Sequence, residues 1–208
     1  MLQTLSLKFS DLDPARRFQH EEAVLVLPFI DPGAAELSRE VLARRALAGG
    51  LLLLVEDDRR MGFIAVANAL FARSESKYFG YLAEDAFPSD GWLKCALFTL
   101  DNTGASLLAF NDGRFHGNLA VFGLASRAWV RSLYRTCLFF PGYGSHFADV
   151  ELSAIANAQG VMTYNPNCVL MEVDHLKHTK GNSPADDALY RKRAATGFGG
   201  VVPPFDPD

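Results

Sequence analysis

Cysteine is scarce: Cys95, Cys137 and Cys168 are odd in number, far apart and without a Cys-X-X-Cys pair. That excludes a disulfide framework and a cysteine zinc site, and leaves each thiol as a small apolar packing group in a reducing compartment. Long apolar runs are missing too. The longest wholly apolar stretch is too short to cross a bilayer, and the acid-bearing N-terminal region lacks a signal-peptide pattern, so no transmembrane segment is expected and the cytoplasm is the expected location. There is no basic excess. Lys and Arg number 20 against 24 Asp and Glu, for a net charge of −4 and a pI of about 5.7. A polyanion therefore meets no global attraction, and no nucleic-acid partner is expected without a local patch. Arg127, Arg131 and Arg135 form one candidate, as rungs of a single helix face; Lys177, Lys180, Arg191, Lys192 and Arg193 form another. Solvated faces are the ordinary meaning of such charges. No internal repeat is visible.

What is present fits one soluble domain. The 208 residues are 49% hydrophobic and 21% charged, ordinary globular values with chain enough to bury a core. The expected domain is 1–196, with Pro, Gly and Asp multiplying from Gly181 and a loosely held tail at 197–208.

Three short apolar runs recur with helical patterns between them. Ala23-Val24-Leu25-Val26-Leu27 stops at Pro28; Leu51-Leu52-Leu53-Leu54-Val55 stops at Glu56-Asp57-Asp58; Tyr78-Phe79-Gly80-Tyr81-Leu82 stops at Glu84-Asp85 and then Pro88. Continuous apolar runs of this length read as strands buried on both faces. Between the first two, Asp31-Pro32-Gly33 offers a cap with Pro just inside, for a helix to Leu47 ended by Gly49-Gly50. Gly62 to Phe71, rich in Ala, supplies the second helix, with Asn68 alone as a polar group on an apolar surface. The result is βαβαβ, and right-handed crossovers make it parallel, so all three strand ends share one edge. In open α/β sheets ligands bind at that edge, where the carboxylates of Glu84 and Asp85 suit a hard divalent ion; a solvated polar turn is the alternative. A weak edge strand precedes, in Leu2 to Phe9. Further on come a helix from Asp90 to Leu100, strands at Leu107 to Phe110 and Leu119 to Leu124, and a helix from Arg127 to Arg135. They are followed by an aromatic and glycine-rich loop, Phe139 to Phe147, a helix from Ala148 to Gln159 and a last strand, Val169 to Val173, that delivers Asp174-His175-Leu176-Lys177-His178.

In that order the pieces resemble a family 2-type glycosyltransferase of the GT-A fold, over roughly Ala23 to Ser183. Val24-Leu25-Val26-Leu27-Pro28-Phe29-Ile30 resembles the opening strand and turn. Val55-Glu56-Asp57-Asp58 resembles the strand end that holds the nucleotide base, and Gly62-Phe63-Ile64-Ala65-Val66-Ala67-Asn68-Ala69 a helix motif ending on Asn. Leu82-Ala83-Glu84-Asp85 is similar to the L-D-x-D metal and diphosphate motif, with Ala83 in place of its first acid. Phe147-Ala148-Asp149-Val150-Glu151-Leu152 resembles x-E-D-x-D-L, whose Asp is the family's base.

The resemblance implies an α/β fold: a single-domain, Rossmann-like GT-A three-layer α/β/α sandwich with a mostly parallel mixed sheet. It implies metal-assisted, inverting transfer of a sugar from a nucleotide-diphosphate donor, with UDP preferred. Asp149 would be the catalytic base. Pro28, Phe29, Ile30, Asp57, Asn68, Glu84 and Asp85 would bind the nucleotide. Asp85 with His175 or His178 would hold the ion, Mn²⁺ before Mg²⁺ because imidazole joins oxygen in the shell. Tyr143 and His146 would meet the acceptor, and a homodimer could complete the site. Two rival readings remain: a GT-A-fold protein that binds a sugar nucleotide without turnover, for which Ala83 argues, and a nucleotidyltransferase.

Overall fold

The computed structural model describes residues 1–173 and 183–207. Among these, an eight-stranded mixed sheet runs in the order β1-β4-β3-β6-β9-β8-β10-β7. The strands are β1 (Leu2–Lys8), β2 (Phe18–Gln19), β3 (Ala23–Phe29), β4 (Gly50–Glu56), β5 (Ser74–Glu75), β6 (Tyr78–Tyr81), β7 (Ala86–Pro88), β8 (Leu107–Asn111), β9 (Gly123–Ser126) and β10 (Met162–Glu172); β2 and β5 form a separate parallel pair. The first four sheet neighbours are parallel, β9 enters antiparallel between β6 and β8, β8 and β10 are parallel again, and β7 closes the edge antiparallel to β10. The weak N-terminal pattern is indeed an edge strand, paired with β4 along its whole length.

Both faces of the sheet are covered, which is why its central strands are continuous apolar runs. One face packs Val24, Val26, Leu53, Val55, Phe79 and Tyr81 under α2 (Phe63–Arg73), α4 (Arg127–Tyr134), α5 (Ala148–Ala158) and α6 (Pro184–Ala194). The other packs Leu25, Leu27, Leu52 and Leu54 under α1 (Pro32–Arg45) and α3 (Trp92–Thr103). The period-two alternation of side chains thus sorts each strand into two cores and gives three layers, α/β/α. No helix among the described residues is long and apolar enough to cross a membrane.

The expected stop at Pro28 moves two residues on. In β3 the carbonyl of Val26 accepts from Leu82 on the β6 side and that of Phe29 accepts from Asp57 on the β4 side. Pro28 shares the direction of Val26, where β6 has already ended, so its missing N–H deprives no partner. The expected strand at Leu119 to Leu124 is instead confined to β9, later and shorter. Gly123 opens it beneath the Tyr81 ring, where a Cβ would run into the Tyr81 hydroxyl.

The C-terminal region corrects the sequence expectation most. It holds α6, with Ser183 as N-cap, Pro184 inside, acids in the first turn and Arg191, Lys192 and Arg193 in the last, and then a short turn α7 (Gly197–Gly200). Part of the supposed loose tail is packed: Phe198 is 3% exposed and stands against Tyr190, and the Phe205 amide donates to the Ala194 carbonyl. Several described members of the basic patches have other partners. Arg127 is buried, donates to the Phe71 carbonyl and stacks on the Phe71 ring. Arg131 faces Glu75, and Arg135 leaves the helix with φ 58°. Arg191 pairs with Asp187 within α6. Lys177 and Lys180 lie outside the described residues.

Two side chains bind α6 to the rest. Arg193 forks onto Glu151 through Nε and Nη2, both 2.7 Å from its oxygens, while Tyr134 and Tyr143 donate to the same carboxylate; Glu151 is 0% exposed. Asp186 accepts the amides of Gly144, Ser145 and His146 at 2.9, 2.9 and 3.0 Å, and so holds the aromatic loop that precedes α5. These three N–H groups keep its carboxyl below the usual range against the opposing effect of burial.

Arg193→Met leaves Glu151 buried without its cation, and urea titration should show a loss of about 3–5 kcal/mol. A loss of less than about 1 kcal/mol, the worth of an exposed pair, would contradict the role given to it. Asp186→Asn should speed hydrogen exchange at the amides of Gly144, Ser145 and His146 about tenfold or more, since charge-assisted bonds contribute roughly 1.5–3 kcal/mol each. Unchanged protection would show that the loop holds itself.

Candidate active site

A cavity of about 530 Å³ opens at the carboxyl edge of the sheet. Its walls come from the end of β6 (Tyr81, Ala83, Asp85), the start of α2 (Phe63, Ile64), the β8–β9 connection (Phe115, Leu119, Val121, Phe122), the loop into α5 (Phe139, Ser145 to Val150) and Glu172 of β10. The crossover rule placed the site on this edge, and the cavity opens there.

Asp149 is the second residue of α5, and Phe147 before the helix adopts φ 67°, a left-handed conformation uncommon for a non-glycine residue. Its Oδ1 accepts from the Val150 amide at 3.0 Å. Burial pushes the Asp149 carboxyl up to about 6, over the lowering effects of the local amides and of His146, and the nearby Glu172 raises it further. An acid serving only the helix terminus would be lowered by the macrodipole, so desolvation is the larger influence here.

Of the residues singled out in the sequence, Asp85, His146 and Asp149 share this cavity. The other described ones do not line it. Asp57 accepts from the Met61 amide through Oδ1 at 2.8 Å and from the Gly62 amide through Oδ2 at 2.7 Å. It closes the short turn into α2, whose reversal uses Gly62 at φ 88°. Asn68 clamps the backbone of one residue from both sides: Nδ2 donates to the Phe139 carbonyl at 3.2 Å and Oδ1 accepts from the Phe139 amide at 2.8 Å. This sets the Phe139 ring edge-on to Tyr81, 5.0 Å between centroids, as part of the cavity wall. Glu84 accepts from the amides of Ile30 and Asp31 at 3.2 and 3.4 Å, and its carbonyl accepts from the Ser38 hydroxyl, so it ties the β6 end to the β3–α1 turn. Pro28 is buried, Phe29 half-buried and Ile30 57% exposed beside that turn.

Tyr143, expected to face an acceptor, is buried with its hydroxyl donated to Glu151, and burial pushes its pKa well up; it belongs to the α6 anchor instead. His146 does reach the cavity, with Nδ1 2.8 Å from the Ser145 hydroxyl. His175 and His178 lie outside the described residues.

Glu172 was missed. It ends β10 as Glu84 and Asp85 follow β6, an apolar run closing on an acid, which is the one signal of it in the sequence. The Val173 amide donates to the Asp85 carbonyl at 3.0 Å, which brings the two strand ends together, and Arg114 approaches the Glu172 carboxylate at 4.0 Å. Asp85 and Glu172 are hard oxygen donors of the kind Mg²⁺ and Mn²⁺ take. Among the described residues, however, no three His, Cys, Asp or Glu side chains gather as a metal-holding group.

No protein-family model matches the sequence, and no curated protein matches it in sequence. Solved structures do match in shape. The mannosyltransferase PcManGT from Pyrobaculum calidifontis, in complex with GDP-Man and Mn²⁺, superposes with a TM-score of 0.60 at 14% identity, over 88% of this chain and 63% of that one. S. aureus TarS 1-349 superposes with a TM-score of 0.57 at 11% identity, over 72% of this chain and 59% of that one. Its complex with UDP gives 0.58 at 10% identity, over 86% and 72%. The chain thus spans less than two thirds of the length of the first two. The layered mixed sheet, with its cavity at the carboxyl edge, is a GT-A-like glycosyltransferase fold.

Proposed function

We propose that the chain transfers a sugar from a nucleoside diphosphate donor, with UDP as the nucleotide, to an acceptor hydroxyl, with inversion at the anomeric carbon and Asp149 as the base. The observation that carries this reading is a carboxyl of raised pKa at the start of α5, facing the same cavity as Asp85 in this fold. The acceptor oxygen forms the new bond to the anomeric carbon as its proton passes to Asp149, and the bond from that carbon to the diphosphate oxygen breaks with its electrons on the leaving nucleotide. A positioned base contributes about 10²–10⁴ in rate, most effectively when its pKa lies near the working pH.

Asp85, with His175 or His178, would hold a divalent ion, Mn²⁺ before Mg²⁺, and such an ion supplies Lewis-acid neutralisation of the leaving diphosphate. Pro28, Phe29 and Ile30 border the neighbouring β3–α1 turn, where the base and ribose would pack. Asp57, Glu84 and Asn68 act there by shaping the loops. PcManGT is in complex with GDP-Man and Mn²⁺ and TarS with UDP, which supports a nucleotide-linked donor for this fold. Binding without turnover is the second reading, favoured by Ala83 at the metal motif. A nucleotidyltransferase loses support, because the N-terminus of α1 that would receive a triphosphate is filled by the Asp31 carboxylate, which accepts from the amides of Gly33 and Ala34.

Incubation with a panel of sugar nucleotides and Mn²⁺ should release nucleoside diphosphate, with kcat/KM rising with pH through an inflection near pH 6 as Asp149 ionises. Asp149→Asn should keep UDP binding and lower turnover by about 10²–10⁴. Tight binding with no release would establish the second reading, and full turnover by Asp149→Asn would remove it as base.

Stability should move the opposite way over the same range. The folded carboxyl titrates near 6 against 3.8 unfolded, so its contribution is complete below 3.8 and is lost as pH rises through 6. Asp149→Asn should therefore gain stability relative to the natural chain at pH 7 compared with pH 4, as chemical denaturation would show. Asp85→Asn should abolish metal-dependent UDP binding in calorimetry, and unchanged binding would take Asp85 out of the site.

A further inference from the structure

Cys95 and Cys168 are 73 residues apart in the chain, yet the fold sets their sulfurs 2.7 Å from one another. Cys95 and Thr99 stand one turn apart on α3 and so share a face, and both side chains meet β10. The strand reaches them out of its regular pairing. Its register with β8 shifts between Tyr164 and Val169, and such an irregularity re-aims the side chains beside it. The displaced segment is itself held: Asn111 donates through Nδ2 to the Pro166 carbonyl at 3.0 Å, and Asn165 accepts the Asn167 amide through Oδ1 at 3.0 Å while its Nδ2 donates to the Thr99 hydroxyl at 2.8 Å. With its oxygen accepting from Asn165, Thr99 has its proton free for the Cys168 sulfur, 3.7 Å away.

Packing alone does not explain so close an approach. Apolar carbons in contact sit roughly 3.5–4.0 Å apart, and sulfur is the larger atom. A bond between two sulfurs needs about 2.05 Å, so a small shift of α3 against β10 would close it. The two thiols are also unlike in access. Cys168 is 0% exposed, and burial, then the neighbouring Cys95, push its thiol well above the usual range against the lowering effect of the Thr99 hydroxyl. By itself a thiol so placed is inert, because reaction needs the thiolate and a path to it. Cys95 is half-buried, so a reagent meets it first, and Cys168 stands behind it as the thiol that resolves the product.

We infer that Cys95 and Cys168 are a modification site, a thiol pair that a peroxide closes into a disulfide joining α3 to β10. The Cys95 sulfur attacks one peroxide oxygen, the O–O bond breaks, and Cys95 becomes a sulfenic acid as its proton leaves with the other oxygen in the first water. The Cys168 sulfur then attacks the Cys95 sulfur, the S–O bond breaks, and the departing hydroxide takes the Cys168 proton as the second water. Two thiols and one hydrogen peroxide thus give one disulfide and two waters, with two electrons passing from sulfur to oxygen. Thr99 donates to the Cys168 sulfur as negative charge develops on it. The pair belongs to the core beneath α1 and α3, whereas α5, which carries Asp149, covers the opposite face of the sheet, so the inference stands apart from the glycosyl-transfer reading.

The test treats the full, reduced chain with hydrogen peroxide, removes the excess with catalase, blocks remaining thiols under denaturing conditions and maps the peptides by mass spectrometry. The expected product is one cross-linked peptide pair, Cys95 with Cys168, lighter by two hydrogens and restored by dithiothreitol, with Cys137 recovered as a free thiol. Cys137→Ser should close the same link. Cys168→Ala should stop at a Cys95 sulfenic acid that dimedone traps. If that variant fails to fold, Thr99→Val keeps both thiols, and it should slow closure about fivefold or more, the worth of a lost hydrogen bond to a charged group, while blocking of Cys95 by N-ethylmaleimide keeps its rate. Recovery of all three thiols after peroxide, or a link made through Cys137 or between two chains, overturns the inference. Closure at an unchanged rate in Thr99→Val overturns the part given to Thr99.

Discussion

The carboxylate of Glu151 is the constraint around which the site side of the molecule is arranged. It is fully buried, and the two nitrogens of Arg193 and two tyrosine hydroxyls converge on its two oxygens. A charge in that position is tolerable only when its acceptors are satisfied, because desolvation alone would cost several kcal/mol. The requirement reaches across the chain. Tyr134 comes from α4, Tyr143 from the aromatic loop and Arg193 from α6, so none of these can shift without stranding the charge. Arg193 also lies over the Phe140 ring, which fastens the loop from a second direction. Two residues before Glu151 on the same helix stands Asp149, whose position is inherited from this anchor.

A pattern runs through the polar groups at the carboxyl edge. Asp57, Asn68, Glu84, Asp112 and Asp186 each bond backbone groups of a loop. Loops near a sheet edge carry amides that no ladder serves, and short acidic or amide side chains are what the sequence supplies to pair them. Rigid loops in turn hold apolar walls apart, which keeps the cavity open. Asp85, Asp149 and Glu172 line the cavity, and Asp149 also accepts from the Val150 amide. Burial is the main reason the Asp149 carboxyl is raised, and Glu172 raises it further.

The edge location and the βαβαβ order were legible because each follows from local chemistry, apolar runs of strand length with proline and glycine stops, whereas Asp149 was singled out by the resemblance of its motif and is found lining the cavity. Asp57 and Asn68 were read as nucleotide ligands, and the structure gives both of them loop contacts. Their partners show why pattern could not tell the difference. Asn68 bonds residue 139 and Glu84 bonds residues 30 and 31, separations that no local spacing encodes. The C-terminal helix had its signals, Ser183, Pro184 and the charged turns, but they were submerged in a composition rich in Pro, Gly and Asp.

By itself the sequence determined the layered α/β class and the shared edge of the strand ends, since strand burial and crossover handedness act over a few residues and one connection at a time. Only the tertiary structure decided which acids face a cavity and which stitch loops, and that Phe198 and Val202 in the expected loose tail are buried. A carboxylate's role depends on the amides and charges brought within hydrogen-bonding reach, and those arrive from distant segments only after the sheet and its two cores have formed.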